Sequence, residues 1–187
     1  EENTSNKPVK SVHSNMIAQW NGTPNFIKEC FTKTFAHESI DDPNKRPNAQ
    51  FLLETLLRYR SSLATCSCGN EVIFDNAEIT CDGCNSKLNA TYWLKTQEYE
   101  LPLLPGKKII GYQIGEYSNG FEAVVSIVRN PQDPTVIGLK NCSENELLVI
   151  TKSGKEKSIS PNEIAPLKHI SQISFKGNNY EVINQYN

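Results

Sequence analysis

The chain of 187 residues has one methionine, three histidines and no long apolar run. No segment approaches the ~20 apolar residues that a membrane-crossing helix needs, so no helical span is expected. Neither sign of charge prevails: 19 Lys and Arg stand against 21 Asp and Glu. Such a balance offers no broad electrostatic handle for a phosphate backbone or an anionic bilayer. There is no Gly-rich phosphate loop, no nucleophile–base pair and no open metal site, so the expectation is a chain that does no catalysis. Internal repeats and low-complexity tracts are also missing. No signal peptide is visible, and the expected location is the cytoplasm.

Cysteine is scarce too, but it is concentrated. Four of the six cysteines lie in "TCSCGNEVIFDNAEITCDGC" (65–84), as Cys66-x-Cys68 and Cys81-x-x-Cys84, with twelve residues between the pairs. Two short knuckles that each supply two thiolates suit a tetrahedral zinc ion. Gly69 and Gly83 accompany the knuckles, as tight turns around a metal often require. "EVIF" (71–74) and "EIT" (78–80) read as short strands joined at Asp75-Asn76, a turn dipeptide. The pattern predicts a zinc ribbon with Cys66, Cys68, Cys81 and Cys84 as ligands. Disulfides are the alternative and would need an oxidising compartment. With four thiolates and the histidines (13, 37, 169) far off in sequence, the predicted site is closed and structural rather than catalytic. Zinc ribbons can bind nucleic acid, but residues 71–82 hold four acidic side chains and no Lys or Arg. That charge disfavours a phosphate backbone and favours a folding staple or a protein-docking knob.

Periodicity divides the rest of the chain. Residues 1–11 are polar and aperiodic, a candidate flexible arm. Residues 12–63 read as helical. Phe26, Ile27, Cys30, Phe31 and Phe35 form one stripe, with Thr23 as N-cap and Pro24 as first helical residue. Ala49, Leu52, Leu53, Leu56 and Leu57 form another. Two or three helices make only a small core. The ribbon is assigned to 64–95, including an alternating "KLNATYWLK" (87–95). From 100 to 187 short apolar runs recur about every ten residues between turn signals, which predicts an antiparallel β-sandwich. The fold class is therefore α+β in several parts. Trp20 and Trp93 are candidate core or junction anchors.

Two resemblances follow from particular motifs. "TPNFIKECFTKTFAHESIDDPNKRPNAQFLLETLL" resembles the end of a protein-kinase C-lobe, where a helix, a polar loop and an Arg-Pro pair precede the last helix. Arg46-Pro47 matches that pair, and the resemblance implies a structural ion pair for Arg46. The A-P-E, H-R-D and D-F-G motifs are not in the chain. A kinase tail running into a cysteine-rich module is similar to bacterial Ser/Thr kinases of the tellurite-resistance-associated type. That similarity implies a non-catalytic regulatory or protein-interaction region. Its implied partners are a kinase core, a von Willebrand-A protein or a metal-dependent phosphatase. Residues 101–185 resemble a degenerate forkhead-associated (FHA) domain, a β-sandwich that reads phosphothreonine through its loops. The carriers are "VIGLKN", a P-x-x-x-x-P-L segment and a closing "ISFKG". The family's Gly-Arg is Gly111-Tyr112 here, and "SIVRN" (126–130) stands where Ser-Arg-x-x-His would. If the family's function were retained, Ser126, Arg129 and Asn141 would contact a phosphopeptide, making the chain a phosphothreonine adaptor.

Overall fold

The structure, a computed structural model, describes residues 9–74 and 78–184. The chain divides into two compact units, Glu1–Tyr59 and Arg60–Asn187. Most of the candidate arm and the Asp75-Asn76 turn lie outside the described residues.

The first unit is helical: α1 (Ser14–Gly22), α2 (Asn25–Phe35), α3 (His37–Asp41), a 3-10 turn at Pro43–Lys45, and α4 (Ala49–Ser62), whose last turn belongs to the second unit. Thr23 does not cap α2. Its Oγ1 donates instead to the Gln19 carbonyl at 2.9 Å, finishing α1, and Pro24 holds the cap position. Proline is tolerated there because it has no N–H to leave unpaired. α4 is capped by Asn48, whose Oδ1 accepts the Phe51 N–H at 2.8 Å. Of the expected α2 stripe, only Ile27 and Cys30 are buried; Phe31 and Phe35 are exposed, as is Leu56 of α4. Short helices offer one another too little facing surface to cover all of these side chains.

The second unit is β-rich. Its strands in chain order are β1 (Leu63–Thr65), β2 (Glu71–Ile73), β3 (Glu78–Thr80), β4 (Lys87–Asn89), β5 (Tyr92–Lys95), β6 (Glu100–Pro102), β7 (Lys108–Ile110), β8 (Ala123–Arg129), β9 (Ile137–Asn141), β10 (Leu147–Thr151), β11 (Glu156–Ile159), β12 (Ile164–Pro166), β13 (Ile170–Phe175) and β14 (Asn178–Asn184). A six-stranded sheet has the order β11-β10-β13-β14-β5-β6, and a four-stranded sheet the order β12-β9-β8-β7. Their pairings are antiparallel. Residues from both sheets, among them Leu94, Leu101, Val149, Ile173, Ile127 and Leu139, form one buried core. Thus the protein is α+β, with a short helical N-terminal part followed by antiparallel sheets.

Two details depart from the periodic reading. Residues 111–114 do not continue β7 but form a 3-10 turn. A Cβ on Gly111 would stand 2.9 Å from the Glu116 carbonyl oxygen, so only glycine allows the chain to double back there. The buried Gln113 completes the turn, accepting the Ile110 N–H at 2.9 Å and donating to Ser61 Oγ at 2.6 Å. The segment 87–95, expected as one strand, breaks after Asn89. Its second half, β5, pairs with β14 in the six-stranded sheet rather than with the ribbon.

Candidate metal centre

The segment expected to be a ribbon forms two small hairpins, with a cysteine pair at the turn of each. β1 pairs with β2 across the first, and β3 pairs with β4 across the second. The expected hairpin between 71–74 and 78–80 is therefore replaced, among the described residues, by one hairpin around each cysteine pair. Pairing each knuckle's own flanks satisfies the backbone where the loop is shortest. In the first, the Cys66 N–H donates to the Asn70 carbonyl at 2.8 Å and the Gly69 N–H to the Cys66 carbonyl at 2.9 Å. In the second, the Asn85 N–H donates to the Cys81 carbonyl at 2.7 Å and the Cys81 N–H to the Ser86 carbonyl at 2.9 Å. Both turns need a left-handed residue, supplied by Gly69 (φ +89°) and Asn85 (φ +57°).

This folding brings all four sulfurs within 4.8 Å of one another. Cys66 Sγ lies 3.6 Å from Cys84 Sγ, and Cys68 Sγ lies 3.7 Å from Cys81 Sγ. Disulfides hold their sulfurs about 2.05 Å apart, and all six cysteines are free thiols. By contrast, four sulfurs about 2.3 Å from one ion stand about 3.8 Å apart at tetrahedral angles. The cluster is compatible with a metal site. Among the described residues it is the one group of three or more His, Cys, Asp or Glu side chains placed to hold a metal.

Residues beside the sulfurs shape their charge. The Ser86 hydroxyl lies 3.0 Å from Cys84 Sγ and 3.3 Å from Cys66 Sγ, while Asn70 Nδ2 is 3.8 Å from Cys81 Sγ. The Ser86 hydrogen bond is the largest influence pulling the Cys66 thiol down to about 6, and it lowers Cys84 as well. Cys68 moves the other way. The Asn70 backbone N–H favours its thiolate, but neighbouring Cys84, burial and the remaining sulfurs push it up to about 11. Packed thiolates repel one another, and a divalent cation between them removes that repulsion. Ser86 and Asn70 carry no spacing signal and were invisible to the sequence reading.

The sulfur cluster rests on a small core of its own. Cys66, Val72, Phe74, Cys81, Ala90 and Trp93 are buried together, with Ile183 packed against them. The Phe74 and Trp93 rings meet edge to face at 6.4 Å, and Trp93 Nε1 donates to the Ala90 carbonyl at 3.1 Å. Side chains alternate along a strand. Trp93 therefore faces the ribbon while its neighbour Leu94 faces the core between the sheets. The opposite strand repeats the division, with Ile183 beside Trp93 and Val182 beside Leu94. One pair of strands thus serves two cores, and Trp93 is the junction anchor.

The other candidate residues are not gathered into one site. Asn141 is 0% exposed. Its amide donates to the Asn145 and Ile159 carbonyls at 2.7 and 2.9 Å, and its oxygen accepts from the Ser143 N–H and hydroxyl at 2.9 and 2.7 Å. Those four bonds use the side chain's full capacity, leaving nothing for a ligand. On the β8–β9 ladder Asn141 stands opposite Val125, whereas Arg129 stands opposite Ile137. Four residue steps separate the two by about 13 Å. Arg129 Nη1 donates to the Pro134 carbonyl at 2.7 Å, and Ser126 lies three residues away on β8, on the opposite face of the strand. Arg46 closes a helix end: its Nε donates to the Ser39 carbonyl at 2.6 Å and its Nη2 to the Ile40 carbonyl at 3.0 Å. These are terminal carbonyls of α3, which a guanidinium satisfies well. No protein-family model, no curated protein and no solved structure matches this chain.

Proposed function

We propose that this chain is a non-catalytic protein-interaction region stapled by a structural zinc ion. The observation that carries the reading is the closed set of four sulfurs, with edges of 3.6 and 3.7 Å. Four thiolates fill a tetrahedral ion's coordination and leave no position for water or substrate. Zinc, rather than a redox-active metal, suits a site whose role is to fix two knuckles in place, because it has no redox chemistry and no geometric preference of its own. Bound there, the ion would supply folding free energy to a ribbon whose own core is small.

The interaction role draws support from the helical unit. Trp20, Phe31 and Phe35 are 41%, 51% and 64% exposed and form a continuous run of ring contacts, each 6.1 Å between centroids. Met16, also exposed, lies one turn before Trp20 on the same helix face. Exposed aromatic patches of this kind mark protein-docking surfaces. The kinase link rests on the resemblance of residues 12–63. Elemental analysis of the purified chain tests the metal reading: one zinc per chain is expected, and two disulfides with no metal overturn it. The residues encoded ahead of Glu1 test the kinase link, which fails if they carry none of the kinase motifs.

A further inference from the structure

We propose that the cleft between β1 and the segment entering β7 binds a phosphate group, through Arg60, Lys107 and Lys108 on an apolar wall of Leu63, Leu104 and Pro105. The cleft has a volume of about 360 Å³, and no carboxylate lines it. Three basic side chains thus line one cleft in a chain whose formal net charge is −2. Among the described residues, none of the three takes part in an ion pair.

Lys107 is the unusual member. Its ammonium donates to the Ser61 carbonyl and, at 2.8 Å, to the Leu63 carbonyl. An ammonium has three donors, so one remains for a ligand. Burial, followed by repulsion from Arg60, pulls its pKa down to about 7. Holding two like charges together against a low-dielectric wall is costly, and an anion entering the cleft reverses the sign of that interaction. The sheet extends the same surface. Lys108 stands opposite Ser126 on β8, and Ser126 stands opposite Lys140 on β9. Directly opposed residues share a face. The row therefore continues from Lys108 to a hydroxyl and a fourth basic side chain on the same face of the sheet. A phosphate matches this set better than a carboxylate does, because it brings about two charges and three acceptor oxygens. Neither Asn141 nor Arg129 lines the cleft.

A phosphate group could reach the cleft on a small free ester or on a phosphorylated protein side chain. The test is a calorimetric or NMR titration of the full chain at low salt, with inorganic phosphate, O-phosphoserine and a phosphoserine peptide as three probes. Saturable binding is expected, and Arg60→Glu with Lys108→Glu should weaken it at least about tenfold. Both side chains are exposed, so the unfolding midpoint should stay unchanged. The control pair Lys155→Glu with Lys157→Glu, on a distant hairpin, should leave affinity intact. A peptide that binds at least about tenfold tighter than O-phosphoserine assigns the group to a protein; equal affinities assign it to a small ester. No saturable binding by any probe up to about 10 mM, or equal loss in the control pair, overturns the proposal.

Discussion

The helical unit and the β-rich unit have similar material and use it differently. Among the described residues, the first unit buries three apolar side chains, Pro24, Ile27 and Cys30, and exposes nine large ones, including Trp20, Phe31, Phe35 and Leu56. The second exposes three, Tyr117, Phe121 and Ile164, and buries all the rest of the core. A helix satisfies its backbone within itself, so it can form with its apolar stripe uncovered. A strand satisfies its backbone only against a neighbour. Pairing strands into two sheets that face each other closes the core as it satisfies the backbone.

The contrast can be broken most severely at the four-sulfur cluster. Cys81→Ser, at a residue that is 0% exposed, should abolish the proposed zinc binding and hydrogen-exchange protection through the described residues of 63–90. Exchange in the strands around Leu139 should remain slow, since their core is separate. Slow exchange in the ribbon without metal would show that its small core suffices.

Next in size are the two kinds of apolar residue. Leu139→Ala in the closed core should cost about 2–5 kcal/mol, measured as the shift in chemical unfolding of the β-rich unit. Phe35→Ala, on the open face, should stay within about 0.5 kcal/mol. Equal costs would mean that Phe35 has a cover in solution.

Asn141→Ala should destabilise the β-rich unit by about 1–3 kcal/mol, because it leaves the buried Ile159 carbonyl without its donor and opens a gap at a fully buried position. Phosphothreonine-peptide titration of the same variant should match the parent protein.

The most gradual effect concerns pH. Lys107 has a folded-state pKa near 7, lowered from the ordinary 10.5 by burial and then by Arg60; Lys108 also faces the cleft. Between those values the unfolded chain binds more protons than the folded one, so stability rises with pH from about 7 to 10, by at most about 1.4 kcal/mol per unit. Below pH 7 both states are protonated and this dependence vanishes. Lys107→Met should flatten the slope in urea unfolding measured across pH 6–10. An unchanged slope would place the proton uptake elsewhere.

Several features of this architecture were legible in the residues themselves. Cysteine spacing located the four sulfurs, since ligand spacing is a local property of the chain. The runs "AVVSIVR", "LLVIT" and "ISQISF" are strands, because β-branched alternation between turn residues leaves little else available. Helix α4 could be read from its leucine stripe. Ser126, Arg129 and Asn141, in contrast, looked like one site on the strength of motif order, yet the β8–β9 register sets Arg129 and Asn141 far apart.

By itself, then, the sequence determined the longer helices and strands and which four thiols converge. Those outcomes depend on period, turn chemistry and short loops. Tertiary structure alone decided that Trp93 and Leu94 serve different cores, that β5 leaves the ribbon for the six-stranded sheet, and that Lys107 shares a cleft with Arg60. Each depends on which strands pair across tens of residues, a choice fixed by the joint burial of many side chains and carried by no single stretch of chain.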